Sequence, residues 1–113
     1  MITPKLNPQQ TADADALFTR LKADLLALSG GDEDLLFNFR RKMYKELMYD
    51  ERGTPLARQR LKKATWKLQE GKCAVCGKEL AFEGSELERI YAPKGFVEGN
   101  VKVVHHECNH GKL

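Results

Sequence analysis

The sequence predicts an α+β fold, in which a helical segment precedes a small metal-binding module. Three observations support this class. Apolar residues recur every three or four positions over the first half of the chain, as on one face of a helix. After Gly71 the pattern changes to short runs of strand-forming residues. All three cysteines and all three histidines lie within residues 73–110.

The first predicted helix runs from about Ala12 to Ser29. It ends at two glycines, which commonly terminate helices because they adopt left-handed backbone angles without strain. Residues 1–10 contain two prolines and are expected to be loose. The apolar stripe of this helix comprises Ala14, Leu17, Leu21, Leu25 and Leu28.

Two further helices are predicted. Asp32 can cap a helix that runs to about Tyr49, and Thr54 followed by Pro55 is a strong start signal for a helix that runs to about Glu70. Trp66 on the third helix is either a core anchor or a stacking surface for a nucleic-acid base. The inward faces comprise Leu36, Phe39, Met43 and Leu47 in the second helix, and Leu61, Ala64, Thr65 and Leu68 in the third.

The C-terminal region is predicted to form a two-stranded ribbon. The runs "ELERIY" and "GNVKVVHH" have strand character, and "PKGFVEGN" between them is a loop with two glycines. The residues from about His106 are expected to form a short helix. These patterns divide the chain into a helical basic region, residues 1–71, and a metal-binding module, residues 72–113.

The composition restricts the number of domains and the expected cellular location. A chain of 113 residues forms one domain, or a small domain with an extension. It has no apolar run near the roughly 18 residues of a membrane span and no secretion-signal pattern. Three cysteines, two of them in a C-x-x-C pair, fit a metal site in a reducing compartment. The expected location is the bacterial cytoplasm, or the host cell for a phage protein, with no membrane partner and no small-molecule cofactor.

The net charge of +3 is unevenly distributed. Residues 34–72 contain eleven basic and five acidic side chains, whereas the flanking segments are mildly acidic. Such a basic block is typical of proteins that bind polyanions, although basic side chains also simply solvate helix faces. The residues expected to contact nucleic acid are Arg40, Arg41, Lys45, Arg58, Lys62, Lys63, Lys67, Lys94 and Lys112.

Two matched pairs of residues predict a zinc site. Cys73 and Cys76 are separated by two residues, and so are His105 and Cys108. Thiolate and imidazole ligands at this spacing suit a tetrahedral zinc ion. Four protein ligands leave no open position, so the zinc is expected to be structural. His106 or His110 could take the place of His105.

These residues resemble the zinc-stapled HNH endonucleases, which have the ββα-metal fold. The resemblance covers residues 72–112 and is closest to a subgroup, frequent in phages, with arginine where most members have histidine. It implies a C-terminal ββα module and a DNA-cleaving activity that uses Mg²⁺ or Mn²⁺. The matching positions are Cys73, Cys76, the run Glu88-Arg89-Ile90, Lys94-Gly95, Asn100-Val101, His105, Cys108, Asn109 and Lys112.

The resemblance also implies roles. Glu88, with Asn109 or less directly Asn100, takes the position of the ligands of the catalytic ion, and Asn100 more often orients the loop. Arg89 takes the position of the general base, but arginine stays protonated in proteins and cannot accept a proton near pH 7. The base is then His106 or His110, or a metal-bound hydroxide acts without one.

Two functions follow as hypotheses. The first is a metal-dependent endonuclease that hydrolyses phosphodiester bonds of DNA, with Glu88, Arg89, Asn100, Asn109 and His110 at its site. The second is an inactive zinc module that binds nucleic acid or a partner protein; the arginine at position 89 favours it.

Overall fold

The computed structural model describes residues 1–109. It has an α+β fold, as predicted, with helices in the first two thirds of the chain and a small antiparallel sheet in the last third. No helix in residues 1–109 is both long enough and apolar enough to cross a membrane. The predicted contributions of His110 and Lys112 lie outside the described residues.

Helix α1 spans Pro8–Ser29, so it begins four residues before the predicted start. The earlier start has a local cause that the apolar pattern does not reveal. Asn7 and Gln10 form a reciprocal capping box, in which each side chain accepts a hydrogen bond from the other residue's backbone amide. Gly30, in the left-handed conformation, ends the helix as predicted.

Helix α2 spans Glu33–Arg52 and helix α3 spans Pro55–Leu68. The predicted caps are confirmed: Asp32 accepts a hydrogen bond from the amide of Leu35, and Thr54 accepts one from the amide of Ala57. Only Gly53 and Thr54 separate the two helices. The prediction of three separate N-terminal helices is therefore matched only approximately.

Strand β1, Glu86–Arg89, pairs antiparallel with β2, Val101–Val104, and Glu88 lies opposite Lys102. One prediction near these strands is wrong. Ile2 is not loose, because it forms a parallel bridge with Tyr91. The short helix predicted from about His106 begins at that residue as a 3₁₀ helix, His106–Cys108, and the described chain contains no α-helix after the ribbon.

The chain divides into two compact units. One is Pro4–Met48, and the other comprises Met1–Thr3 with the chain from Tyr49 onward. In the second unit α3 packs against both strands. Trp66 on α3 lies against the core of this unit, as the core interpretation predicted. The buried residues of this core are Cys73, Leu80, Val103 and Val104.

Candidate functional site

A tight turn brings the first two cysteines together. The amide of Gly77 donates to the carbonyl of Cys73, and the amide of Cys73 donates to the carbonyl of Lys78, each at 2.9 Å. Gly77 has a φ of 74°, a left-handed conformation in which a larger residue would be strained. The glycine after the C-x-x-C pair therefore permits the turn that points both thiols to one side.

The end of β2 returns the second pair to this turn, and the four predicted residues form one cluster. The ligand atoms of Cys73, Cys76, His105 and Cys108 all lie within 4.8 Å of one another. The Nδ1 atom of His105 is 3.3 Å from the Sγ atom of Cys76 and 3.9 Å from that of Cys108. Sulfur atoms about 2.3 Å from a shared tetrahedral ion have comparable separations. This Cys/His cluster could hold a metal ion, and its donor set fits zinc.

His105 is oriented by its second ring nitrogen. The Nε2 atom lies 3.0 Å from the carbonyl oxygen of Glu79, so Nε2 bears the proton that it donates to that carbonyl. The lone pair then lies on Nδ1, the atom that faces the thiols. Metal-bound histidines usually have such a carbonyl or carboxylate partner, which fixes the tautomer.

The cluster also changes the acidity of its thiols. Burial raises the pKa of Cys73, but backbone hydrogen bonds from Cys76, His105 and Val75 outweigh it and lower that pKa to about 6. Burial, followed by the neighbouring thiols of Cys73 and Cys76, raises the pKa of Cys108 to about 11. One thiolate is therefore formed at neutral pH before any metal binds, which favours capture of a cation.

Of the two alternatives to His105, His106 points elsewhere. Its Nδ1 atom lies 2.8 Å from Oε1 of Glu86, and it does not belong to the Cys/His cluster. The other alternative, His110, lies outside the described residues. Within residues 1–109, the cluster therefore contains the residues that sequence spacing predicted.

A second site lies on the ribbon. A cavity of about 350 Å³, here called the Glu88 cavity, is formed within the second unit. It contains Glu88, Arg89 and Asn109, three of the residues predicted from the resemblance. Its described lining comprises Met1, Arg52, Leu87, Glu88, Arg89, Phe96 and Asn109.

Glu88 is only 5% exposed, yet its carboxylate is incompletely paired. The N-terminal ammonium group of Met1 lies 3.2 Å from Oε1. Oε2 is buried and has no hydrogen-bond partner among the described residues. A buried carboxylate oxygen without a partner is costly, so this position favours a cation beside it. The ammonium group at Oε1 is consistent with a site that accommodates positive charge.

Arg89 is 7% exposed and is held by two contacts. Its Nη1 atom donates to the carbonyl of Ala92 at 3.3 Å, and its guanidinium lies 4.9 Å from the ring centroid of Phe96. Its Nε–H has no partner among the described residues. Arg89 therefore contributes a fixed positive charge and a buried donor to the Glu88 cavity.

Asn100 holds the loop between the strands rather than lining the cavity. Its side-chain oxygen accepts a hydrogen bond from the amide of Tyr91 at 3.1 Å. Its side-chain nitrogen donates to the carbonyls of Tyr91 and Gly95, at 2.9 and 2.7 Å. All three bonds lie within the loop, so Asn100 has the geometry of a positioning residue.

Sequence reasoning missed Glu86, which connects two of the predicted residues. Oε2 of Glu86 accepts a hydrogen bond from the side chain of Asn109 at 2.8 Å, while Oε1 contacts His106. A signal was present, because residues two apart in a strand share a face and Glu86 lies two before Glu88. For Arg52 and Phe96 no local signal existed, since both come from other segments of the second unit.

The predicted basic residues lie in different parts of the chain. Arg40, Arg41 and Lys45 are exposed on α2 within the first unit, and Lys94 is exposed at the end of a 3₁₀ turn. Arg58 is partly engaged, because its Nη1 atom donates to the carbonyl of Gly53 at 2.6 Å. The remaining described basic residues, Lys62, Lys63 and Lys67, lie on α3.

Comparison of the chain with known protein families, with curated proteins and with solved structures gives no match. We therefore infer the chemistry of the site from the geometry of its own residues.

Proposed function

We propose that the second unit is an HNH-type endonuclease module, which hydrolyses phosphodiester bonds of DNA with a divalent cation and is held together by a structural zinc ion. The observation that supports this most is the buried carboxylate of Glu88, whose Oε2 lacks a partner, beside the buried guanidinium of Arg89. A carboxylate that can hold a metal cation and a guanidinium that can hold a phosphate therefore belong to adjacent residues of one strand.

The Cys/His cluster is assigned to zinc. Three thiols and one imidazole saturate a tetrahedral ion, so the zinc binds no substrate. Its role is to fix the turn at residues 73–77 to the end of β2. The position of β2 in turn fixes β1, where Glu88 and Arg89 lie.

The catalytic cation is assigned to Glu88, with the amide of Asn109 from the same cavity. Oxygen ligands of this kind suit Mg²⁺ or Mn²⁺. Such an ion neutralises charge on the phosphate and on the leaving oxygen. Glu88 supplies the negative charge that holds the ion, and Glu86 orients Asn109 through the bond of 2.8 Å.

Arg89 is assigned to the phosphate, because a guanidinium donates hydrogen bonds to phosphate oxygens and keeps its proton. Proton transfer from water then falls to a histidine. Within residues 1–109 the choice is His106, whose Nδ1 contact with Glu86 leaves Nε2 as the proton-accepting nitrogen. His110 remains the alternative.

A second function is favoured by the same arginine. Contacts with Ala92 and Phe96 hold Arg89 at the position where the family resemblance predicts a histidine base. This arrangement fits a zinc module that binds nucleic acid without cleaving it. In that case removal of the Glu88 charge leaves binding unchanged or strengthens it.

Nicking of supercoiled plasmid by the zinc-loaded protein tests the proposal. With Mg²⁺ or Mn²⁺ the wild type is expected to nick, and Glu88→Gln is expected to lose about 100-fold or more of the rate, as when one charge-stabilising group is removed. The matched control is Glu83→Gln, which removes an exposed carboxylate from the loop before β1. Equal rates for wild type and Glu88→Gln would defeat the nuclease. Plasmid binding without nicking by the wild type, in both metals, supports the inactive module.

A further inference from the structure

Three cavities of the second unit adjoin one another, because each shares at least one lining residue with the next. The Glu88 cavity shares Leu87 and Phe96 with a second cavity of about 300 Å³. That cavity shares Gln59 with a third of about 540 Å³. The three together form a surface, here called the α3 track. Beyond the Glu88 cavity its lining includes Arg58, Arg60, Lys62, Lys63, Lys67 and Phe82.

The α3 track is strongly basic. Helix α3 contains five basic residues and no acidic one, and all five line the track. Among the described residues that line the three cavities, Glu88 is the one carboxylate. From Arg58 to Lys67 the helix rises about 14 Å, at about 1.5 Å per residue.

An aromatic ring lies at the end of the track away from Glu88. Phe82 packs edge-to-face against Trp66, with ring centroids 5.8 Å apart. Trp66 is itself fixed, because its Nε1–H donates to the carbonyl of Leu80 at 2.8 Å. The ammonium groups of Lys62 and Lys63 lie 4.5 and 5.2 Å from the Phe82 centroid. A phosphate draws such flexible ammonium groups toward itself and uncovers the ring, because the charged pair is the stronger contact.

We infer that the α3 track binds a single strand of nucleic acid that leads away from the Glu88 cavity, with an unpaired base stacked on Phe82. Basic side chains along the backbone and an aromatic platform for bases are the two components of single-strand recognition. In a duplex the faces of the bases are already stacked and cannot lie on a protein ring. The inference rests on the proposed function for its nucleic-acid ligand and for the position of the cleaved bond.

Binding is measured by fluorescence anisotropy on the full-length zinc-loaded protein without added Mg²⁺ or Mn²⁺. The probes are a labelled 12-nucleotide thymidine strand, the same strand with abasic sites, and a duplex of equal length. Phe82→Leu is expected to weaken thymidine binding about tenfold, the effect typical of one lost stacked base. It should leave abasic and duplex binding unchanged. Circular dichroism confirms that each variant is folded.

The paired lysines are tested by salt dependence. Lys62→Gln with Lys63→Gln should reduce the slope of log affinity against log salt by about 1.4, at roughly 0.7 per phosphate contact on a single strand. The matched control is Lys22→Gln, because Lys22 lies 4.9 Å from the ring centroid of Phe18 in α1 and so repeats the pairing in the first unit. The control should bind as the wild type does.

Two results would overturn the inference. The first is thymidine binding that is unchanged in Phe82→Leu. The second is competition by poly-glutamate as strong as by the unlabelled strand, which identifies an acidic protein as the partner. The test is separable from the nuclease assay. Glu88→Gln should lose about 100-fold or more of the nicking rate and retain strand binding. A wild type that binds the strand through an intact track but does not nick defeats only the nuclease. An active nuclease whose binding is insensitive to Phe82→Leu defeats only the track.

Discussion

The two units of this chain are specified in different ways. In Pro4–Met48 the one buried residue is Ser29, and most large apolar side chains are exposed, among them Leu17 at 58% and Leu28 at 65%. In the second unit Val103 and Val104 are fully buried. The first unit therefore depends mainly on local helix signals, whereas the second depends on contacts between distant segments.

The hydrogen bonds differ in the same way. The capping box of α1 joins Asn7 to a residue three positions away. In the second unit the side chain of Gln69 contacts both the amide and the carbonyl of Val103, 34 residues away. The Cys/His cluster adds a further connection of about 30 residues, from the first turn to the end of β2. The second unit should consequently be the more sensitive one to single changes.

The largest effect is expected from loss of a cluster residue. Cys76→Ser, or zinc chelation, should substantially lower the melting temperature of the second unit, because a structural zinc contributes directly to the free energy of folding. Trp66 is the only tryptophan of the chain and lies against this core, so its fluorescence reports the transition. Val75→Ala, at an exposed position of the same turn, is the control. A chelated protein that retains the melting temperature of the untreated wild type would show that zinc does not stabilise this fold.

The loop residue Asn100 should give the next effect. Asn100→Ala removes three side-chain hydrogen bonds, worth about 1 kcal/mol each, so the free energy of unfolding should fall by about 3 kcal/mol. Urea denaturation followed by Trp66 fluorescence measures it. Asn38→Ala, exposed on α2, should change stability by less than about 0.5 kcal/mol. Similar values for both variants would show that Asn100 does not hold the loop.

Truncation of an apolar side chain should produce a smaller difference in stability between the two units. Val103→Ala should destabilise the second unit by about 2 kcal/mol, because its side chain is fully buried. Leu17→Ala removes a larger apolar group from an exposed position and should cost less than about 0.5 kcal/mol. Urea denaturation followed by circular dichroism compares the two. A larger loss for Leu17→Ala would reverse the comparison.

The smallest expected effect is a difference of about one in the number of protons that the cluster releases when zinc binds. In the metal-free protein the lowered pKa of Cys73, about 6, stabilises the fold above pH 9, and this contribution is lost as the pH falls from 9 to 6. The raised pKa of Cys108, about 11, has the opposite sign, and its contribution is lost as the pH rises above 9.

At pH 7.5 zinc should therefore displace a proton from Cys108 but none from Cys73. Calorimetric zinc titrations in buffers of different ionisation enthalpy measure proton release. Cys108→Ser should release about one proton fewer than the wild type. Cys73→Ser should release the same number as the wild type. Equal losses in both variants would contradict the assigned acidities.

The elements that the sequence predicts well are those with local signals. Thr54–Pro55 starts α3, Gly30 ends α1, and the matched pairs identify the Cys/His cluster, because each signal lies within a few residues. The short segment after β2 is a 3₁₀ helix, His106–Cys108, rather than an α-helix, because the chain turns there to bring Cys108 back to the cluster.

The parts of the site that the sequence does not reveal come from distant segments. Phe82, Phe96 and Arg52 face their sites only through tertiary packing, and no local sequence pattern distinguishes them from other residues of the chain. Glu86 is the exception, since its strand spacing from Glu88 gave a usable signal. Asn100 could be assigned to loop positioning only when its three partners were known.

The central claim is that Glu88 holds a divalent cation apart from the zinc, and manganese binding tests it most directly. Electron paramagnetic resonance of Mn²⁺ added to the zinc-loaded protein distinguishes free from bound ion. The wild type should bind one Mn²⁺ per chain while retaining its zinc, and Glu88→Gln should bind it at least about tenfold more weakly, as for a lost charged ligand. Equal Mn²⁺ binding by the two proteins would contradict the account.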